Sequence, residues 1–218
     1  MLAQPVTIST AELLEEWEPV SHRADNLFNA IAPFYGLFFS FQVRYYQKIL
    51  ERVKPLYDLS RYKSIIDVGC GTGALCYVLH SQGIKVTGVD SAERMLVVAA
   101  NKLAHTDVQL VQASAHLPTP FPDKSFDIAI SSYTAHGMKE TERIKMYREM
   151  SRLAKHKVIF HDYNDNRTLI IDIVERLEGG HYFNFIKNAK EEMSAIFKDV
   201  TVLNIGLSAA WYVCTPWK

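Results

Sequence analysis

Ile65-Ile66-Asp67-Val68-Gly69-Cys70-Gly71-Thr72-Gly73 decides how this chain is read, because an apolar run passes through an acidic residue into glycines at alternate positions. β-branched residues favour a buried strand, and glycine lets the backbone turn tightly and approach a ligand where any Cβ would collide. Ala74 to Gln82 continues as a helix, ended by Gly83. Lys85-Val86-Thr87-Gly88-Val89-Asp90 is then a second strand with a carboxylate at its tip, roughly 20 residues past the first glycine, where a nucleotide ribose is gripped. Strand, glycine turn, helix, strand and acid therefore stand in the order that a nucleotide-type cofactor site requires.

The glycine spacing also tolerates the dinucleotide template, with Ala74 in its last place. Asp67 favours another ligand: a negative charge just before the glycines suits an ammonium and opposes a pyrophosphate lying on the helix N-terminus. With its next segments the chain resembles the class I S-adenosylmethionine-dependent methyltransferases. The motifs that carry the resemblance are Asp67 to Gly73, then Gly88-Val89-Asp90-Ser91 with Met95 following, then Leu117-Pro118 leading to Phe121-Pro122-Asp123-Lys124-Ser125-Phe126-Asp127.

The resemblance implies an α/β, Rossmann-like three-layer sandwich, with a mostly parallel seven-stranded sheet that ends in an antiparallel hairpin and carries an N-terminal helical cap. It also implies S-adenosyl-L-methionine as cofactor. Gly69, Cys70, Gly71 and Gly73 would pass under its methionine half, Asp67 would face its ammonium, and Asp90, followed by Ser91, would hold the ribose hydroxyls. Met95 would pack on the adenine, although a Met at helical spacing is also ordinary core. At the end of the third strand the family carries an acid followed by a small residue. Here the text is Gln112-Ala113-Ser114-Ala115-His116, so Ser114 and the backbone of Ala115 would have to serve. Ser131 would border the sulfonium. Tyr35, in Ala32-Pro33-Phe34-Tyr35-Gly36, would close over the methionine end, with Gly36 standing in place of the family's acid.

Three side chains are candidates for the reaction itself. Ser131-Ser132-Tyr133-Thr134-Ala135-His136 follows the fourth strand at the carboxyl end of the sheet, where open parallel sheets bind ligands. Tyr133 and His136 are placed to position an acceptor or remove its proton, since histidine titrates near neutrality. His161, in His161-Asp162-Tyr163, ends the fifth strand on the same rim. The plain alternatives are a capping histidine for His136 and a satisfied turn cluster for His161. An activated methyl needs no metal, only an aligned acceptor and excluded water.

Outward from the motif, the chain alternates strand and helix, the mark of parallel strands joined by helical crossovers. Strands are expected at 64–68, 85–89, 108–112, 126–131 and 156–161, with helices at 73–82, 91–104 and 139–154. A further helix starts near Asn166 and stops at Gly179-Gly180, and Phe185 to Phe197 marks another. Val200 to Ile205 and Ala209 to Thr215 read as strands joined too closely to be anything but antiparallel. Before the motif, Ser9 and Glu12 form a capping box, Leu27, Phe28 and Ile31 mark a second helix, and a third from Gly36 to Val53 is rich in aromatics. That aromatic helix, together with His181, Tyr182 and Phe183, could line a pocket for a hydrophobic or aromatic acceptor, or simply be core. In place of the glycine-containing turn usual before the fifth strand stands Leu153-Ala154-Lys155-His156-Lys157.

Length and charge bound the rest. A chain of 218 residues, 48% apolar, is expected to form one domain over 1–218, with 1–60 as the cap and 61–218 as the core. Lys plus Arg and Asp plus Glu are each 24, so no large basic field recruits nucleic acid. Cys70, Cys76 and Cys214 have no zinc-type spacing, and the N-terminus has no signal core or membrane span, which suggests a cytoplasmic protein. The expected function is methyl transfer to a small acceptor of unspecified identity. Two rivals stand beside it: a non-catalytic S-adenosylmethionine-binding protein, and a nicotinamide-dependent oxidoreductase.

Overall fold

A computed structural model describes residues 37–164 and 181–217. Tyr35, the capping box at Ser9, the second helix and the helix expected from Asn166 lie outside the described residues.

Seven strands form one sheet in the order β3-β2-β1-β4-β5-β7-β6. They are β1 (Ser64–Val68), β2 (Lys85–Asp90), β3 (Gln109–Gln112), β4 (Phe126–Ser132), β5 (Ala154–Tyr163), β6 (Asp199–Asn204) and β7 (Ala209–Thr215). The first five pair in parallel, while β7 runs antiparallel to both β5 and β6. The helices are α1 (Phe39–Val53), α2 (Ala74–Ser81), α3 (Glu93–Lys102), α4 (Glu140–Leu153) and α5 (His181–Ile196). The expected mixed sheet and closing hairpin are both present. Boundaries differ mainly at β5, which extends beyond the expected 156–161 at its start, where Ala154 pairs with Phe126 of β4, and at its end, where β7 pairs with Asp162 and Tyr163.

The central strands are apolar throughout because both faces of the sheet are covered. Ile65, Ile128, Ile130, Ile159 and Trp211 pack on the face where α1 contributes Leu50 and Val53. Ile66, Ala129, Val158, Phe160 and Tyr212 alternate to the other face, against Met146 and Tyr147 of α4 and Phe185 and Met193 of α5. This two-residue alternation makes three layers of the molecule. The guanidinium of Arg143 ties α4 to α5: Arg143, fully buried, donates through Nε and Nη2 to the two carboxylate oxygens of Glu192 at 2.9 and 2.5 Å. Among the described residues no helix is long and apolar enough to cross a membrane.

Candidate active site

The parallel register brings the end of β1 beside the ends of β2 and β4, so the turn after Val68 opens at the carboxyl edge of the sheet. Gly69 N and Cys70 N both donate to Val89 O, at 2.7 and 3.0 Å, and pin the turn to β2. Gly69, Gly71 and Gly73 all have positive φ (80°, 53° and 77°), a region that disfavours any side chain. They are not equivalent. A Cβ on Gly69 would lie 2.4 Å from Thr134 Oγ1, and one on Gly73 would lie 2.7 Å from Leu103 Cδ1, so these two admit neighbouring protein. A Cβ on Gly71 would meet nothing within 4 Å, so the middle glycine faces open space.

Two carboxylates flank this turn. Asp90 accepts from Gly71 N at 2.8 Å through Oδ2 and from Ala92 N at 2.9 Å through Oδ1, which joins the turn to the start of α3. Asp67 is buried and takes a bond from Cys76 Sγ (3.3 Å) on Oδ2, while Oδ1 has no hydrogen-bond partner. Burial pushes its carboxyl up to about 7; the Cys76 thiol works against that rise and the nearby charge of Asp90 adds to it.

The remaining cofactor-side candidates divide. Ser131 is buried and donates to Val68 O at 2.7 Å, a tie between β4 and β1. Met95 is buried with Ala92 in a small apolar cluster apart from the main core, at the start of α3 just beyond Asp90. Ser91 O accepts from Gln112 Nε2 at 3.1 Å, and Ser114 Oγ pairs with His116 Nδ1 at 3.1 Å, so the segment lacking the family's acid is held by its own polar groups. Ala115 lies half-buried in that segment, and Cys70 is buried inside the turn.

Across the turn, α1 forms a roof. Gln42 accepts from Thr72 Oγ1 at 3.0 Å, and Tyr46 OH bonds Ser132 Oγ at 2.9 Å. Tyr45 OH lies 2.6 Å from Tyr133 OH and 3.0 Å from His161 Nε2. Trp211 Nε1 donates to His161 Nδ1 at 2.8 Å. Because the indole is only a donor, His161 Nδ1 must carry the lone pair and Nε2 the proton. The order of donation is thus Trp211 to His161 to Tyr45 to Tyr133. His161 is buried, and burial lowers its pKa to about 4, with Asp162 pulling the other way. It is a neutral relay with both ring nitrogens engaged, which leaves it no lone pair with which to take a proton from an acceptor.

Tyr133 adopts φ 51°, a strained conformation for a bulky residue that typically costs about 1–3 kcal/mol and is fixed here by Tyr133 N donating to His161 O at 2.9 Å. Burial drives its hydroxyl far above the ordinary tyrosine range, with Tyr45 adding to the rise. The hydroxyl therefore stays protonated. His136 stands next to it, ring centroids 6.4 Å apart, and its Nδ1 lies 2.8 Å from Asp162 Oδ1. A carboxylate beside Nδ1 makes that nitrogen an N–H donor. Tyr163 and Tyr182 pack edge-on against the same imidazole, while Phe38 and Phe41 of the aromatic helix are exposed.

Asp162 stands beside a named candidate in sequence, but Tyr45, Gln42 and Trp211 are brought in by tertiary packing. Tyr45 had a signal, the aromatic run on its helix. Trp211 had none, because nothing local in β7 marks an indole 50 residues from its partner histidine.

A doubly wound parallel sheet, closed by an antiparallel hairpin, with a glycine turn after β1 and an acid at the tip of β2, defines the class I methyltransferase fold; an ordinary dinucleotide-binding domain lacks the hairpin. The model of the family described as "methyltransferase domain" matches residues 65–157. An uncharacterized methyltransferase of Alkaliphilus oremlandii is 22% identical over 182 residues, covering 78% of this chain and 82% of that protein. An uncharacterized protein of Methanocaldococcus jannaschii is 30% identical over 168 residues, 77% of this chain but 62% of its own length. Among solved structures, a putative S-adenosylmethionine-dependent methyltransferase of Methanococcus maripaludis aligns with TM-score 0.65 at 16% identity, covering 87% of this chain and 94% of that one. Residues 65–157 thus match the methyltransferase-domain family, and the fold around them is the Rossmann-like fold of class I methyltransferases.

Proposed function

We propose that this chain binds S-adenosylmethionine along the glycine turn and transfers its methyl group to a small acceptor held between His136, Tyr133 and the surrounding aromatic rings. The observation that carries the reading is the unpartnered Oδ1 of buried Asp67, immediately ahead of the turn. A buried carboxylate oxygen without a donor is costly, and an amino-acid ammonium is the group that would satisfy it, whereas a pyrophosphate would not. Gly71 supplies an opening that side chains do not fill, and Asp90, tied to Gly71 N, stands beside that opening as an acceptor for ribose hydroxyls. Met95 would floor the adenine, and Ser114 and Ala115 would meet its edge. As the resemblance implies, Cys70 would lie under the methionine half with the glycines, Ser91 beside the ribose, Ser131 beside the sulfonium and Tyr35 over the methionine end.

The cofactor, when bound, supplies a methyl already activated by its sulfonium. The protein has to align the acceptor, exclude water and receive a proton. His136 Nε2 is the base in this scheme, and Asp162 holds the tautomer and stabilises the imidazolium that forms. The relay from Trp211 presets Tyr133 as a hydrogen-bond donor, which suits it to orient an acceptor oxygen or nitrogen. His161 keeps that relay in place.

Calorimetric titration of the full chain with S-adenosylmethionine tests the first half. Saturable binding that Asp90→Ala weakens is expected, and no binding at millimolar cofactor rejects the proposal. Release of S-adenosylhomocysteine with fractions of a small-metabolite pool tests the second half. Binding without product from any fraction would mark a non-catalytic cofactor-binding protein, and bound nicotinamide cofactor in mass spectra would mark the oxidoreductase.

A further inference from the structure

The amino end of the sheet, opposite the glycine turn, carries a concave site. Arg61 and Lys63 precede β1, Lys155, His156 and Lys157 open β5, and Lys198 precedes β6; together they line a cleft of about 640 Å³. That volume falls in the range of small-molecule sites, about 300–1,000 Å³. The cleft lies in the place where the sequence carries Leu153-Ala154-Lys155-His156-Lys157.

A β-bulge explains why so much charge faces one way. Phe126 pairs with Ala154 but Ile128 with Lys157, so Lys155 and His156 together oppose Asp127 alone, and both are exposed. A bulge of this kind redirects side chains that regular pairing would place on alternate faces. The one acid in the lining, Asp127, is already engaged, accepting from Lys63 N at 2.8 Å, Ser64 N at 3.3 Å and Lys155 Nζ at 3.4 Å. Lys157 Nζ is steadied by Thr215 Oγ1 at 2.8 Å. Among the described residues, Lys63 and Lys198 have no carboxylate within ion-pair distance.

Five cations against one occupied carboxylate is a local excess in a chain whose net charge is zero. An ordinary solvated face intersperses the two signs, whereas a concave wall of one sign concentrates counter-ions. Four of the five cations are lysines, point charges with rotatable donors, which suit the tetrahedral oxygens of clustered phosphates better than they suit a flat carboxylate. We propose that this cleft binds a small polyphosphate anion at the end of the sheet remote from the methyl-transfer site. Tyr62 and His156, with ring centroids 5.8 Å apart in the same lining, offer planar surface should the phosphates belong to a nucleotide.

Calorimetry of the full chain with inorganic tripolyphosphate at low ionic strength is the test. Saturable binding at one site is expected, weakened about tenfold or more by Lys155→Glu and by Lys198→Glu, each a loss of a close charge pair. Lys187→Glu, on the exposed side of α5, should leave it unchanged. Added salt should weaken it, and the affinity for S-adenosylmethionine should not move. Absence of saturable binding overturns the proposal, and so does an equal loss in Lys187→Glu, which would reduce the effect to diffuse charge. ATP against tripolyphosphate separates the two sources of the phosphates: tighter ATP binding assigns a nucleotide and equal binding an inorganic ligand.

Discussion

The Nδ1 of His136 lies 2.8 Å from Asp162 Oδ1, and the backbone N–H of the same histidine donates to the other oxygen, Oδ2, at 3.3 Å. The carboxylate therefore fixes both the position of the residue and the tautomer of its ring. The side chains are 12% and 2% exposed, so bulk water screens the pair little.

If His136 takes the acceptor's proton, His136→Ala should lower the rate of S-adenosylhomocysteine formation by about 10²–10⁴-fold without weakening cofactor binding. Asp162→Asn should lower it too, by losing the tautomer and the charge that stabilises the imidazolium. Single-turnover rates and cofactor titrations on the same samples check this. A His136→Ala protein with an unchanged rate removes the histidine from the chemistry.

Asp67 gives a pH dependence of defined sign. Its folded pKa, about 7, lies above the unfolded carboxylate value, so between about pH 4 and 7 the folded chain binds more protons than the unfolded one. The cofactor-free protein loses up to about 1.4 kcal/mol from this group per unit as pH rises through that window. The stability advantage of Asp67→Asn over the parent should grow from pH 4 to 7 and then level off. An ammonium ligand needs the ionised form, so binding near pH 7 should release about half a proton, seen in the buffer dependence of the binding heat and absent in Asp67→Asn. Proton uptake instead of release would falsify this account of Asp67.

His161 runs the other way. Its folded pKa of about 4 lies below the unfolded value, so it leaves stability untouched above about pH 6.5 and lowers it as pH falls toward 4, by up to about 1.4 kcal/mol per unit. Trp211→Phe should cost about 1–3 kcal/mol, because it strands a buried ring nitrogen. Nitrogen chemical shifts of the imidazole would then show Nε2 no longer held as the sole N–H form; an unaltered tautomer would mean the indole does not set it.

The three glycines should separate when each is replaced by alanine. At Gly69 the new methyl meets Thr134 Oγ1 at 2.4 Å on a backbone already at φ 80°, so the fold is lost or weakened and Thr134→Ala should rescue part of it. At Gly71 only the backbone conformation is penalised, about 1 kcal/mol, so thermal stability should drop little while cofactor affinity falls. Equal melting temperatures for the two variants would contradict this division.

Glu192→Ala leaves the fully buried Arg143 without its bidentate partner and should cost about 3–5 kcal/mol, measured by denaturant unfolding. Replacing both residues with apolar side chains of similar volume should cost much less, since no uncompensated charge stays behind.

The sheet was legible because its rules are local. Ile65 and Ile66 announce a strand covered on both faces, Gly69 to Gly73 announce the turn, and the short link from Ile205 to Ala209 permits only an antiparallel return. Asp67 and Asp90 could likewise be singled out from their spacing to the glycines. The acceptor side could not be read with the same sharpness. His136 and His161 are both histidines near strand ends, and their sequence neighbours do not tell a base from a relay.

That distinction comes from side chains far apart in the chain. Asp162 reaches His136 across 26 residues, and Trp211 and Tyr45 close on His161 from β7 and α1. Periodicity and glycine placement settle backbone conformation, which depends on near neighbours. Tautomer, protonation and the unpaired oxygen of Asp67 depend on which groups the packed layers bring within hydrogen-bond range and which they seal from water, and no stretch of sequence holds that information alone.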